Sequence, residues 1–218
     1  MLDVQVLVAA LPSLTKAAIV TVQLTAVAAV LSLLFGIASC MLQLSRIPGG
    51  YWVSRAYVSL MRGTPLLIQL FVVFFALPLI GIKGQAFLAA AIAIGLNSGA
   101  YTTEILRGAV QSVPRGHIEA AEAIGMSRFD IWRRVILPQA FAISIPALTN
   151  EFTIVLKSTP LASIVAVTEL TYAGLLIQAR TFSALEVLVP VAALYIIIAI
   201  TFMRLARRLE RRLSAYHA

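Results

Sequence analysis

Residues 17–45 read AAIVTVQLTAVAAVLSLLFGIASCMLQLS, a run of 29 positions without a charged side chain. About 20 apolar residues of helix cross the hydrocarbon core of a bilayer. This run is therefore long enough to tilt or to project beyond the membrane. Four more charge-free windows lie downstream, at 63–82, 84–103, 135–150 (continuing past Glu151 to residue 156) and 187–203. The segment 158–181 is apolar but interrupted by Pro160, Glu169 and Gly174. It reads as an external or re-entrant helical loop, with a six-span count as the alternative. The expected fold class is an all-α integral membrane protein with five transmembrane helices.

Composition agrees. The 218 residues are 61% hydrophobic and 12% charged, with a mean hydropathy of +0.96. Soluble domains carry about 25% charged residues, and a soluble fold of this size has too little interior to hide so much apolar surface. The length suits one membrane domain, 1–218, with a core from about 15 to 208. Cys40 stands alone in an apolar run, and His117 and His217 are far apart, so neither a disulfide framework nor a metal-ligand cluster is expected. The first fourteen residues hold Asp3 and no basic residue, and the apolar run is longer than a signal-peptide h-region. The first helix is expected to stay in the mature chain.

Five spans put the termini on opposite sides, and basic residues choose the orientation. With the C-terminus inside, 13 Lys and Arg residues are cytoplasmic, among them Arg62, Arg107, Arg128, Arg133, Arg134 and the tail Arg204–Arg212. The four outside are Lys16, Lys83, Lys157 and Arg180. The expected topology is N-terminus out and C-terminus in. The same distribution accounts for the net charge of +8 without nucleic acid, and the basic tail reads as an anchor on anionic lipid.

The longest cytoplasmic segment contains VPRGHIEAAEAIGMSRFDIWRRVILPQ, residues 113–139. It reads as two short helices. The first, 118–124, is Ala-rich and ends at Gly125, since glycine accepts the left-handed C-cap conformation. The second begins with the capping-box spacing of Ser127 and Asp130 and is expected to lie at the interface, its arginines on lipid phosphate, before the chain re-enters at Leu137-Pro138. The small residues around Glu119 let another backbone approach closely, so the first helix reads either as a rigid peg for a soluble partner or as a plain connector.

Ionisable and amide groups at membrane depth are functional candidates. Glu104 and Arg107, three apart on one helix face, read as a structural ion pair. Asn97 reads as a path residue or a packing residue. Glu151 lies about 21 Å along its helix from Leu137. Asn150 and Lys157, seven apart, share a face. Asn150, Glu151 and Lys157, with Asn97, are candidates to line a translocation path for a solute with ammonium and carboxylate groups. The alternative for Glu151 is a partner on another helix or subunit.

Three ordered motifs resemble one family. Glu119-Ala120-Ala121, Gly125 four residues later and Ile136-Leu137-Pro138 resemble the EAA loop of ABC-importer permeases. RGTPLLIQ at 62–69 is similar to the start of the second span in the polar amino acid permeases, the histidine/glutamine type. Glu104-Ile105-Leu106-Arg107-Gly108, Ser112-Val113-Pro114, Pro138-Gln139 and Asn150-Glu151-Phe152 fit the same subfamily. The resemblance covers about 15–208. His117 stands where the family often has Gln, and Pro160 replaces a usual Ser.

The resemblance implies a type I ABC importer permease-like fold in a bacterial cytoplasmic (inner) membrane. It implies a second permease, identical or sister, two ABC ATPase subunits below, and an extracytoplasmic amino-acid-binding protein above. Glu119, Ala120, Ala121 and Gly125, within a coupling loop of about 108–136, would dock on the ATPase. The chain has no G-x-x-x-x-G-K-[ST] loop and no catalytic constellation. It is expected to be no enzyme and to hold no cofactor or metal, with ATP and Mg on the partner. A gradient-driven carrier is the alternative; it predicts an inverted internal repeat, and none is evident. A non-transporting scaffold subunit is a third reading.

Overall fold

The computed structural model describes the backbone of residues 4–45, 47–82 and 85–214, and the side chains of 8–45, 47–82 and 85–208. Asp3, Arg46, Lys83, Arg211, Arg212 and His217 lie outside the described side chains.

Helix α1 runs from Val4 to Leu44, well upstream of the charge-free window. The extension is helical because Ala10, Leu14 and Ala17 recur at i, i+4 and i+7 and bury one face against Leu170, Ala173 and Val191. The same stripe continues through Thr21, Leu24, Ala28 and Ser32, all fully buried. The opposite side, with Ile19, Val22, Val30 and Leu34, is exposed, as a lipid-facing surface would be.

Helix α2 (Gly50–Gly63) and helix α3 (Leu66–Ala76, extended by a 3-10 turn Leu77–Ile80) meet at 111°. Pro65 is the cause. It disfavours helical backbone at the preceding residue, and Thr64 is extended, with φ −122° and ψ 149°. The window 63–82 is thus no single straight span. Among the described residues, four helical stretches are long and apolar enough to cross a bilayer, and a fifth crossing exists if the bent pair α2–α3 counts as one span.

Helix α4 (Ala86–Gln111) packs along α1. Small residues line the contact: Ala91, Gly95, Ser98, Gly99 and Thr102 on α4 against Ala28, Ser32 and Gly36 on α1. In lipid, helices gain little from hydrophobicity when they associate, so close van der Waals approach through small residues is what holds them. A Cβ at Gly95 would sit 2.6 Å from the Leu31 Cβ, and one at Gly99 would sit 2.8 Å from the Phe35 Cβ.

Helix α5 (Arg115–Ala123) starts earlier than expected, with Pro114 as its N-cap. Helix α6 (Arg128–Asp130) is one turn that passes through a π-helical segment, Ile131–Ile136, into helix α7 (Leu137–Ser158). The expected separate interfacial helix is instead the start of a continuous helical stretch, Arg128–Val165. Pro138 explains the π segment. It lacks an N–H and crowds the preceding turn, and the widened turn, with Leu137 N–H bonded to Trp132 O five residues back, absorbs the mismatch.

The segment 158–181 forms a 3-10 helix, Thr159–Val165, and helix α8 (Leu170–Thr181), followed by helix α9 (Ala184–Ser214). Pro160 sits in the first turn of the 3-10 helix, where its missing N–H does no harm. Glu169 is fully buried, caps α8 by accepting the Tyr172 N–H at 2.8 Å, and accepts the Tyr195 hydroxyl of α9. Thr21 of α1 accepts the Leu170 N–H at 3.0 Å. The interruptions that argued against a span are therefore the fastenings of a packed loop.

The α1–α4 contact yields a matched test. Gly95→Ala forces overpacking and should lower stability by about 1–3 kcal/mol. Gly108→Ala in the same helix meets open space and should be neutral or up to about 1 kcal/mol stabilising. SDS-titrated unfolding of the two purified variants measures the difference.

Candidate translocation and coupling site

Glu151 on α7 is 5% exposed. Its Oε1 accepts the Ser98 hydroxyl of α4 at 2.7 Å. Ser98 in turn accepts the Ser32 hydroxyl of α1 at 2.9 Å, and Ser32 lies 2.8 Å from the Thr102 hydroxyl. With one proton per hydroxyl, the chain runs Thr102 to Ser32 to Ser98 to Glu151, with the carboxyl as terminal acceptor. It ties three helices together at membrane depth, where unsatisfied polar groups are costly. Among the described residues, no cation pairs with Glu151.

Asn150, one residue earlier and about 100° round the helix, is exposed and makes no side-chain hydrogen bond among those described. It shares an exposed stripe with Ile143, Ala147, Ile154 and Lys157. An amide on an otherwise apolar mid-helix face cannot be satisfied by lipid tails, so this face is suited to a water-filled path or a protein partner.

Asn97 is held elsewhere. Its Nδ2 donates to Met61 O at 3.0 Å and to Gln69 Oε1 at 3.1 Å. Gln69 Nε2 donates to Met61 O at 2.8 Å and to the Thr64 hydroxyl at 2.8 Å. The Tyr57 hydroxyl donates to Leu96 O at 2.6 Å. The bonds to Met61 O satisfy the carbonyl that Pro65 leaves without its i+4 donor, and the set stitches the α2–α3 bend onto α4. The stretch 62–69 is therefore a bend with its own fastening, and Arg62 completes it by lying 5.0 Å over the Tyr101 ring. Arg107 forms a two-pronged salt bridge to Glu104, with Nη2 to Oε2 at 2.6 Å, and its Nη1 donates to Gln111 at 2.9 Å.

At the coupling loop, Gly125 has φ +80°. Met126 N–H bonds to Ala121 O and Gly125 N–H to Glu122 O. This is the Schellman arrangement that ends a helix at glycine. Of the four expected docking residues, Glu119, Ala120 and Gly125 are exposed. Ala121 is 5% exposed and faces inward, against Ala109, Val113, Ile131, Ile136 and Ala140. Its small size serves the chain's own packing. His117 Nδ1–H donates to Gln139 Oε1 at 2.8 Å while Gln139 Nε2 donates to Val135 O at 2.8 Å, so the peg is pinned to the base of α7.

Residues 32–215 match the family described as "Binding-protein-dependent transport system inner membrane component". This chain belongs to that family. Among relatives of this transport component, the L-cystine transport system permease protein TcyB of Bacillus subtilis (strain 168) is 38% identical, covering 95% of this chain and 89% of its own. The glutamine transport system permease protein GlnP of Escherichia coli (strain K12) is 40% identical, covering 76% and 78%. A solved structure described as "Crystal structure of an amino acid ABC transporter with histidines" superposes with TM-score 0.90 at 34% identity, covering 97% and 99%. The fold is that of a type I ABC importer permease.

Sequence reasoning about this inner membrane component missed Ser32, Ser98 and Thr102 as partners of Glu151. The available signal was the i, i+4 spacing of Ser98 and Thr102 on α4, matched by Ser32 and Gly36 on α1. It also missed the link between Gln69 and Asn97. Gln69→Leu removes the acceptor of Asn97 Nδ2 and the donor that reaches Met61 O and, at 3.1 Å, Thr64 O, so Asn97 and Met61 O keep only their bond to each other and Thr64 O loses its side-chain donor. It should destabilise by about 1–3 kcal/mol, measurable as a lowered thermal midpoint in detergent.

Proposed function

We propose that this chain is the channel half of an ATP-driven importer of polar amino acids. It pairs with a second permease, identical or sister, and has its N-terminus outside and C-terminus inside. Two ABC ATPase subunits hold ATP and Mg below it, and an extracytoplasmic amino-acid-binding protein delivers solute. The chain itself carries no cofactor and no catalytic step. Its location is the bacterial cytoplasmic membrane.

The observation that carries this reading is the build of the peg. α5 presents Glu119 and Ala120 outward, while Ala121 and its own small core join α5 to the feet of α4 and α7. A push on the peg must move α7, the helix that bears Asn150, Glu151 and Lys157. Asn150 and Lys157 face outward to meet the carboxylate of a zwitterion. Glu151, one residue behind, becomes available to the ammonium when α7 turns. The relatives whose names specify cystine and glutamine transport support the substrate class.

Two experiments test it. A C-terminally tagged chain extracted in mild detergent should bring down a stoichiometric ABC-type ATPase. Ala120→Trp should abolish that capture with the permease still monodisperse, whereas Ala121→Leu should disturb the permease itself. A clean chain with no ATPase that still moves solute in liposomes would overturn the proposal in favour of a gradient-driven carrier. In the reconstituted importer, Asn150→Ala should cut amino acid uptake by at least about tenfold, equivalent to about 1.4 kcal/mol, without loss of assembly. Unchanged uptake would place the path elsewhere.

A further inference from the structure

At the end of α1 away from the coupling loop, α1 and α8 flank a groove of about 370 Å³. Its walls are apolar, with Ala17 and Val20 on one side and Ala173 and Ile177 on the other, and two cations, Lys16 and Arg180, open onto it. Among the described residues, no carboxylate lines it. The nearest acidic group in sequence on this loop, Glu169, is fully buried and committed to Tyr172 and Tyr195. Among the described residues, neither Lys16 nor Arg180 forms an ion pair.

Depth matches this chemistry. Lys16 is 28 residues from Leu44, about 42 Å along α1, against about 40–45 Å for a bilayer with its headgroups. For α1 along the bilayer normal with Leu44 at one surface, Lys16 falls at the headgroup level of the other, and Val20 lies one turn nearer the hydrocarbon. Two of the four basic residues expected on that side of the membrane thus converge on one apolar slot.

We propose that this groove binds one anionic phospholipid per chain, its headgroup phosphate on Lys16 and Arg180 and an acyl chain along Ala17, Val20 and Ile177. Only the name of the leaflet, the extracytoplasmic one, rests on the orientation proposed above. Each near-surface cation contributes about a fivefold preference for anionic lipid, so the pair contributes about 30-fold.

Native mass spectrometry of the full chain, released from nanodiscs of phosphatidylglycerol or phosphatidylcholine, reads the bound lipid directly. The expected result is one retained phosphatidylglycerol per chain and no retained phosphatidylcholine. Lys16→Gln with Arg180→Gln should weaken retention about 30-fold, and Lys16→Arg with Arg180→Lys should restore it. ATPase capture should be unchanged in all of these, so the result is separable from the importer reading. Equal retention of both lipids, or retention unaffected by neutralising the two cations, overturns the proposal. So does a neutralised variant that keeps its lipid and loses stimulation by a solute-binding protein, which would make the groove a protein-docking face.

Discussion

The close approach of α1 and α4 is the constraint from which the other arrangements follow. Lipid tails are as apolar as leucine, so two long helices gain little by trading lipid contact for each other unless their backbones come near. Gly36, Gly95 and Gly99 permit that approach. Ala28 and Ala91 serve in the same way, but the other small residues at this contact, Ser32, Ser98 and Thr102, bring hydroxyls into a dry interface. Those hydroxyls need partners, and they find them in a directed chain that ends on Glu151. The rotation of α7 is therefore set by the small-residue contact between two other helices.

α4 organises the remaining pieces in the same way. Asn97 holds the α2–α3 bend, the Leu96 carbonyl takes the Tyr57 hydroxyl, and Ala109 and Val113 carry the coupling helix. Towards its C-terminal end the Glu104–Arg107 fork lets the helix continue past the charge-free window, because each charge satisfies the other. The coupling helix thus rests on the helix that also holds the bend and the buried carboxyl. Packed side chains join α5 to a continuous helical rod, Arg128–Val165, with no flexible joint between them. The π segment lies where α5 meets that rod, at Ile131 and Ile136, and supplies a place where the rod can change its winding.

The membrane class, the helix end at Gly125 and the family were legible in the sequence. Each depends on local composition: about 20 uncharged residues, a glycine at a C-cap, an ordered set of short motifs. The helix ends were less legible. α1 begins before Ala17 because Ala10 and Leu14 find α8 and α9, and that benefit is invisible in the run itself. The window 63–82 looked continuous because hydropathy does not register the bend that Pro65 imposes.

What the sequence determined by itself is which residues are candidates: Asn97, Asn150, Glu151 and Lys157 as polar groups in apolar surroundings, and Glu119–Gly125 as a small-residue peg. What only the tertiary structure decided is which way each one faces. Asn150 and Glu151 are neighbours in the chain and about 100° apart on the helix; one is exposed and the other is buried on Ser98. Ala120 and Ala121 divide likewise between exposed surface and core. Composition fixes the inventory along one dimension, but facing is set by the rotation of each helix against its neighbours, and that rotation is a property of the packed bundle.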